Sequence, residues 1–205
     1  MSQSELLQLA GNTRFGFMKL PAGRLILRED EDCRQLFFLI SGQISIESRS
    51  NDHAYLMSEW LSAPWLIQPE RLFGAAPRHT QTVRTHTEVH LITLSKDEVL
   101  RLLDDFLIFR LNLLNLLSTQ SQRLSRYPWR RMPLTLEERI TRFLTDHAVY
   151  PAGRKELHIL MSQLADEMGE TRLNVSRTLN DLQRRGLVEL HRGRIVVPML
   201  EHLFM

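Results

Sequence analysis

The segment from residue 164 to residue 197 constrains the fold most, because it combines two short helical patterns, a glycine between them and a terminal hairpin. The first pattern has an apolar face of Leu164, Ala165 and Met168, and the second has apolar residues at i, i+4 and i+7, namely Val175, Leu179 and Leu182. Gly169 suits the positive φ at a helix end, and the Thr171 hydroxyl can cap the next helix. This layout predicts a helix-turn-helix.

The outer face of the second predicted helix is polar apart from one leucine. It carries Leu173, Ser176, Arg177, Asn180 and Arg184. Taken alone, such a face could be an ordinary solvated surface. The following GLVELHRGRIVV has two β-rich runs around His191-Arg192-Gly193-Arg194, which predicts a hairpin beside the helix. The helix and the hairpin together predict a winged helix-turn-helix, which favours nucleic-acid binding.

Charge is distributed unevenly along a chain whose formal net charge is only +2. Basic side chains gather near the end, at Arg172, Arg177, Arg184, Arg185, Arg192 and Arg194. Only Asp181 and Glu189 are acidic between residues 171 and 194. Most of the 26 basic residues are arginines, which suit bidentate contacts with phosphate and guanine. This asymmetry indicates an anionic partner for the carboxyl-terminal part.

The composition is that of a globular protein, since 43% of the 205 residues are hydrophobic and 24% are charged. The sequence has no run of about 18 apolar residues, so we expect no membrane span. Its start lacks the basic and apolar regions of a signal peptide. Cys33 is the single cysteine, which excludes an internal disulfide and a four-cysteine metal site. These features predict a cytoplasmic protein of one or two domains.

Short apolar runs broken by turn residues extend from about residue 14 to residue 94. RLILRE, QLFFLISG, QISIES and TVRTHTEVHLITLS are each typical of β-strands, with Gly23 and Gly42 at bends. This part of the chain therefore predicts an all-β module, a barrel or a roll.

A heptad-like pattern begins after Ser95, which can cap a helix, and continues for about thirty residues. Its seam consists of Leu102, Phe106, Phe109, Leu113, Leu116, Gln120 and Leu124. This helix has more apolar surface than one small β-module can cover, so we expect it to pair with a second copy of the chain. Packing within the monomer is the alternative. Prolines at 128 and 133 then predict a hinge, and LTLEERITRFLTDHAVY predicts an amphipathic helix ending near residues 151–153.

LADEMGETRLNVSRTLNDLQRRGLVELHRGRIVV resembles the DNA-binding domain of the Crp/Fnr family of bacterial transcription regulators, and QLFFLISGQISI is similar to the family's strand–glycine–strand signature. The resemblance covers nearly the whole chain and implies an α+β fold. An N-terminal double-stranded β-helix, which is a cupin-like and cyclic-nucleotide-binding-like β-roll, would occupy residues 1–94. A dimerisation helix would follow at 95–127, a hinge at 128–133 and a C-terminal winged helix-turn-helix at 134–205.

The resemblance implies a homodimeric, sequence-specific DNA-binding transcription regulator, not an enzyme. Its expected partners are double-stranded DNA with a palindromic operator and, as a candidate, RNA polymerase. The expected DNA-binding residues are Thr171, Arg172, Leu173, Asn174, Ser176 and Arg177, with Arg192 and Arg194 in the wing. Many relatives have Glu at the position of Leu173, where it accepts a hydrogen bond from cytosine. Leucine cannot accept one, and it would suit a thymine methyl group instead.

Relatives that bind cyclic AMP have a stretch of roughly F-I-G-E-L-x-L-F followed by R-S-A or R-T-A, and the corresponding stretch here is LIQPERLFGAAPRHTQTVR. Gln68 and Pro69 replace the Gly and the Glu, and His79 replaces the Arg. The candidate effector-pocket residues are Gln68, Glu70, Arg78, His79, Thr80, Leu124 and Ser125. A buried phosphate would have no cation beside it, so we expect no cofactor, and either a small ligand other than cyclic AMP or no effector at all.

A different interpretation makes the β-module a cupin-like metal-dependent enzyme or a small-molecule-binding protein. Such an enzyme needs two or three His and a Glu around one metal. His86 and His90, with Glu88 between them, would lie on one face of a strand. No third ligand suggests itself in the first half of the chain except His53 or His79. We therefore expect no metal site and favour the regulator.

Overall fold

The structure is a computed structural model that describes residues 13–52, 54–126 and 131–204. The strands within these ranges are β1 Gly16–Leu20, β2 Leu25–Leu27, β3 Gln35–Ser41, β4 Gln43–Arg49, β5 Leu56–Ser62, β6 Trp65–Ile67, β7 Thr82–Thr85, β8 Val89–Ser95, β9 Lys155–His158, β10 Glu189–His191 and β11 Arg194–Val197. The α-helices are α1 Lys96–Asp105, α2 Leu107–Arg126, α3 Leu136–Asp146, α4 Met161–Met168 and α5 Arg172–Arg184. None of these helices is long and apolar enough to cross a membrane.

The first eight strands form a β-roll from two antiparallel layers. One layer has the order β1-β8-β3-β6, and the other contains β5-β4-β7-β2. Their facing side chains form one buried cluster that includes Phe37, Leu39, Ile44, Ile46, Leu61, Val83 and Leu91. Gly42, between β3 and β4, has φ of 90°, and an added Cβ would lie 2.2 Å from the carbonyl oxygen of Glu88. Only glycine fits there, as the predicted bend requires.

The expected single helix over residues 95–127 is in fact two helices, α1 and α2. Ser95 caps α1 as predicted, since its side chain accepts a hydrogen bond from the amide of Glu98. Phe106 ends α1 with an extended backbone, φ −124° and ψ 100°. Its ring packs against the cluster that α1 and α2 form with the β-roll. The prediction of one continuous helix was therefore wrong, because Phe106 leaves the helical conformation between α1 and α2.

The predicted seam of this region packs mainly within the chain. Leu102 and Leu113 are buried in a cluster with Leu36 and Val99, and Phe106 and Phe109 pack against it. These seam residues therefore pack within the monomer, which was the alternative to pairing with a second copy of the chain. A different apolar stripe on α2 remains exposed, consisting of Leu107, Ile108, Leu111 and Leu114. These residues recur at helical spacing, so they share one face of α2.

The second domain places α3, α4 and α5 on a small sheet of β9, β11 and β10. Its core includes Ile140, Leu144, Leu157, Leu164, Val175, Leu179, Val188 and Val197. Thr135 starts α3 with a capping box, in which the Thr135 hydroxyl accepts from the Glu138 amide and the Glu138 carboxylate accepts from the Thr135 amide. α3 ends at Asp146, earlier than the expected 151–153, because the chain turns into β9, which the sequence did not predict.

The two domains are joined through one seven-stranded sheet of order β10-β11-β9-β5-β4-β7-β2. β5 of the roll pairs antiparallel with β9, in a register that runs from Leu56 opposite His158 to Glu59 opposite Lys155. Residues 127–130, which include the first half of the hinge expected at 128–133, lie outside the described ranges. The position of the second domain is therefore set in the structure by strand pairing.

Candidate nucleic-acid interface and effector pocket

The helix-turn-helix forms because α4 and α5 bury their apolar stripes on one core. Gly169 ends α4 with φ of 61°, in the left-handed region, and Thr171 caps α5 by accepting from the amide of Asn174 at 3.2 Å. Both sequence predictions are confirmed. Val175, Leu179 and Leu182 are buried beneath α5. The opposite face of α5 is left to solvent.

The outer face of α5 presents most of the expected DNA-binding residues. Thr171, Arg172, Leu173, Asn174 and Arg177 are exposed, with 59% of Leu173 accessible, and Ser176 is half-buried. The side-chain amide of Asn174 donates to Glu170, so this side chain also has a structural role. The start of α5 therefore combines cationic, apolar and hydrogen-bonding groups on one accessible surface.

Carboxylates neutralise some arginines of this domain and leave others free. Arg184 pairs with Asp181 on α5, and Arg185 pairs with Glu137 on α3 at 2.7 Å. Arg172 and Arg177 have no carboxylate partner among the described residues. The uncompensated positive charge is thus concentrated at the amino-terminal half of α5, where the helix dipole adds to it.

The hairpin of β10 and β11 forms the predicted wing, and its two arginines differ. Arg192 is exposed in the turn and has no acidic partner within the described part of the chain. Arg194 is half-buried, and its guanidinium donates to Oε2 of Glu156 at 3.3 Å. Burial by itself would raise the pKa of Glu156, but Arg154 and Arg194 hold it below its usual value. Arg194 therefore serves mainly to stabilise the sheet, through its pairing with Glu156.

An ion pair behind the turn, which sequence analysis missed, holds α5 against α3. Arg139 of α3 donates to the carbonyl oxygen of Met168 at 2.7 Å and to Oε1 of Glu170 at 2.6 Å. The other carboxylate oxygen of Glu170 accepts from Asn174 at 3.2 Å. Hydrogen bonds from Asn174 and Arg139 hold the pKa of Glu170 below its ordinary value. No sequence pattern connects Arg139 to a residue 31 positions away.

The expected effector pocket contains a buried polar network instead of a charged cradle. Oε1 of Gln68 lies 3.2 Å from Nδ1 of His79 and accepts from the backbone amide of Thr80 at 3.2 Å. Nε2 of Gln68 donates to the side chain of Gln81 at 2.9 Å. Gln68 has a left-handed backbone, with φ of 44°, which directs its side chain into this network. Burial lowers the pKa of His79, so the ring is neutral at pH 7.

The other expected pocket residues do not join this network. Arg78 is exposed and donates to the carbonyl oxygen of Asp30, and Glu70 is exposed beside Arg71. Ser125 donates within its own helix, to the carbonyl oxygen of Gln122. The side chain of Leu124 lies outside the described part of the chain. Gln81 was not predicted, because the family pattern R-S-A or R-T-A has alanine at this position, and alanine has no hydrogen-bonding side chain.

The histidines of the enzyme alternative do not share a strand. His86 lies in the turn after β7, where it contacts the ring of Trp60, and His90 lies on β8 beside Glu88. The expectation that both rings lie on one strand face was wrong, because the chain reverses between them. His53 lies outside the described residues. Among the described residues, no three His, Cys, Asp or Glu side chains are grouped to hold a metal ion.

Comparison with known proteins finds relatives for both domains. Residues 138–204 match the Crp-like helix-turn-helix domain, and residues 17–106 match the cyclic nucleotide-binding domain. The chain is 22% identical over 187 residues to the cAMP-activated global transcriptional regulator CRP of Haemophilus influenzae, covering 87% of this chain and 82% of that protein.

Solved structures show the same fold. The catabolite activator protein of Thermus thermophilus has a TM-score of 0.55 at 19% identity, over 100% of this chain and 94% of that chain. The c-di-GMP-responsive global regulator CLP of Xanthomonas campestris has a TM-score of 0.53 at 18% identity, over 96% and 99% of the two chains. These likenesses establish the α+β architecture of a β-roll followed by a winged helix-turn-helix.

Replacing Glu170 with alanine should destabilise the helix-turn-helix at neutral pH, because Arg139 and Asn174 lose their acceptor. The folded-state pKa of Glu170 is lowered from 4.5, so its contribution is present above about pH 4.5 and is lost as the pH falls through the lowered pKa. We expect the difference in free energy of unfolding between wild type and Glu170→Ala to shrink on acidification. Urea unfolding at pH 7 and below pH 4.5 measures it.

Glu167→Ala is the matched control, because Glu167 is an exposed carboxylate of α4 nearby. It should unfold like the wild type at both pH values. A Glu170→Ala difference that stays constant with pH would show that the carboxylate charge of Glu170 does not matter.

Proposed function

Because the chain belongs to the Crp/Fnr family of transcription regulators, we propose that it is a homodimer that binds a palindromic DNA operator through α5 and the wing. One observation carries the proposal: Arg172 and Arg177 of α5 and Arg192 of the wing are exposed and have no carboxylate partner among the described residues. Exposed, unpaired guanidinium groups on a helix and an adjacent hairpin match the phosphates and base edges of a major groove.

We propose the following roles at the base edges. Arg177 pairs with O6 and N7 of a guanine, and Arg172 contacts a base or a phosphate at the start of α5. Ser176 reaches a base edge or a phosphate, while Leu173 contacts a thymine methyl group. Thr171, Asn174 and Arg194 lie at the margin of this interface, since each already has a hydrogen-bond partner within the protein.

The proposed dimer uses the exposed stripe of α2. Leu107, Ile108, Leu111 and Leu114 lie on the face opposite the residues that pack on the β-roll. Exposing an apolar face on a helix of twenty residues to water is unfavourable. A second copy of the chain has the same face, so the two faces can bury each other in a symmetric contact. A C2 dimer would also match the two-fold symmetry of a palindromic operator.

We propose an effector other than cyclic AMP. The Gln68, His79 and Gln81 side chains satisfy one another and offer no cation to a buried phosphate. The Xanthomonas campestris relative is described as c-di-GMP-responsive, so proteins of this fold are not restricted to cyclic AMP. RNA polymerase is a further candidate partner, and the cytoplasm is the expected location.

We propose no enzymatic activity for the β-roll. The enzyme interpretation depended on His86 and His90 facing one metal together. The structure instead separates these rings between a turn and a strand, and pairs His79 with Gln68.

The variant Leu173→Glu should change the base preference at one position of each half-site toward cytosine, because a carboxylate accepts from cytosine N4 and leucine does not. A base contact of this kind is worth about 1–3 kcal/mol at one position. Selection of binding sites from a random duplex pool, for wild type and variant in parallel, measures the preference.

Arg192→Ala is the control for that selection. It should weaken binding to all duplexes alike and flatten the salt dependence, since the wing contacts phosphate. Identical selected sites for wild type and Leu173→Glu would place Leu173 away from the base edges and contradict the proposed docking.

Replacing both Leu111 and Leu114 with glutamate should give a folded monomer. Both side chains are exposed in the single chain, so the substitution removes the proposed dimer contact without opening the core. Light scattering at micromolar concentration should show half the wild-type mass. Leu100→Glu, at an exposed leucine of α1, should leave the mass unchanged. A wild-type protein of monomer mass would refute the dimer.

Cyclic AMP should not bind to the purified protein. Calorimetric titration should give no heat of binding under conditions in which the Haemophilus influenzae relative, described as cAMP-activated, does bind. A dissociation constant in the low micromolar range would contradict the proposal. In that case Arg78→Ala should abolish binding, because Arg78 precedes His79 directly in the sequence and would contact the phosphate in its place.

A further inference from the structure

An ion pair joins the β-roll to the DNA-binding domain across the shared sheet. Glu59 of β5 and Lys155 of β9 face each other in the register, and Nζ of Lys155 lies 2.9 Å from Oε2 of Glu59. Both side chains are 0% exposed. A buried charge without its partner is strongly destabilising. Each of these residues therefore requires the other domain to be in its place.

The Glu59 carboxylate also organises the loop that leads into β9. It accepts from the backbone amide of Val149 at 2.6 Å and from that of Tyr150 at 3.1 Å. Lys155 donates in addition to the carbonyl oxygen of Ala152 at 2.7 Å. One side chain of the β-roll thus satisfies two amides and one ammonium group of the DNA-binding domain. The pair has little freedom to re-form in another geometry.

Apolar and aromatic contacts surround this pair. Met57 of β5 is buried in the core of the DNA-binding domain. The hydroxyl of Tyr55 lies 2.9 Å from Nε2 of His147. The rings of Trp65 and Tyr150 meet edge to face at 5.4 Å. These contacts exclude water from the ion pair and strengthen it.

We infer that Glu59 and Lys155 are positioning residues, which fix where the DNA-binding domain stands relative to the β-roll. Without β5, strand β9 would be an unpaired edge that carries a buried lysine. A shift of one residue in the register would turn Lys155 to the opposite face of the sheet. The pairing therefore defines one arrangement of the domains.

This inference rests on the proposed function in one respect, the spacing of the recognition helices. A dimer bound to two half-sites needs its two α5 helices at a fixed separation. A domain that moves freely lowers the effective concentration of the second α5 at its half-site. Loss of the Glu59–Lys155 pair should then weaken binding to a full operator more than binding to one half-site.

Hydrogen exchange on the intact protein tests the positioning role without DNA. In Glu59→Ala the amides of β9 should exchange roughly tenfold faster or more, while those of β3 and β8 keep their wild-type rates. Glu98→Ala is the matched control, since Glu98 is also a buried glutamate but pairs with Arg101 inside α1. It should leave β9 unchanged. Wild-type protection of β9 in Glu59→Ala would overturn the inference.

An engineered disulfide between β5 and β9 should restore the strand pairing that Glu59→Ala weakens. Leu56 and His158 face each other across β5 and β9, at the Cα separation of an antiparallel pair, which a disulfide can bridge. Oxidised Leu56→Cys/His158→Cys in the Glu59→Ala background should return β9 to slow exchange, and reduction should reverse this. Cys33 is buried and does not compete. If Glu59→Ala does not fold, Glu59→Gln, which keeps an acceptor oxygen, replaces it in both measurements.

DNA binding gives the second readout, with duplexes that the wild type selects and the same duplexes with one half-site scrambled. Glu59→Ala should lose about tenfold in affinity for the full site and remain near wild type for the half-site. Equal losses on both duplexes would mean that Glu59 only supports folding, and would overturn the positioning role. If the wild type selects no duplex, the proposed function fails, and hydrogen exchange still decides the inference.

Discussion

Strand β5 belongs to two hydrophobic cores at once, and the arrangement of the chain depends on this strand. Met57, Glu59 and Leu61 lie on the same face, because alternate residues of a strand point the same way. Met57 is buried in the core of the DNA-binding domain, and Leu61 is buried in the β-roll. Glu59 lies where one core ends and the other begins. The loop amides and Lys155 that meet it there cannot be satisfied by apolar atoms.

Ion pairing between arginines and carboxylates determines which surface is available to DNA. Arg139, Arg185 and Arg194 each pair with a carboxylate and connect elements that are distant in sequence. Arg172 and Arg177 differ because they project from the first turns of α5, where no carboxylate of the described residues lies within ion-pair distance. The arginines that build the domain and those that we propose for DNA are thus distinguished by their partners and not by residue type.

Local patterns predicted the helix-turn-helix well. The apolar stripe of Val175, Leu179 and Leu182, the Gly169 turn and the Thr171 cap all depend on residues within a few positions of each other. The hairpin at Arg192 was predicted for the same reason. Strands β1, β5, β6 and β9 were not predicted. β1, β6 and β9 pair with strands that are distant in sequence. β5 forms a hairpin with β4, but Met57, Ser58 and Glu59 are all buried, so β5 has no alternation of apolar and polar residues.

The α2 face illustrates why the rest was missed. Heptad spacing identified an apolar seam, but Leu113 belongs to the core beneath the helix, and Leu111 and Leu114 lie on the exposed side. A helix with apolar residues on two faces has two overlapping patterns, and the spacing does not indicate which one faces the partner. The Arg139–Glu170 and Glu59–Lys155 ion pairs were likewise not predicted, because each joins residues that are distant in sequence. The burial of Lys155 was the least predictable of these features, since lysine is among the residues least often buried.

The geometry of the shared sheet also limits how the domains can move. Side chains alternate along β9, so sliding by one residue would turn Leu157 and Lys155 to the opposite face of the sheet, and sliding by two would separate Lys155 from Glu59. Reorientation therefore requires the β5–β9 pairing to break as a unit. The Gln68 network lies directly after β6 and directly before β7, and β7 is paired with β4, the neighbour of β5. Hydrogen-bonded strands therefore connect the Gln68 network to the junction, and a change at Gln68 can alter the junction only by supplying enough free energy to separate β5 from β9.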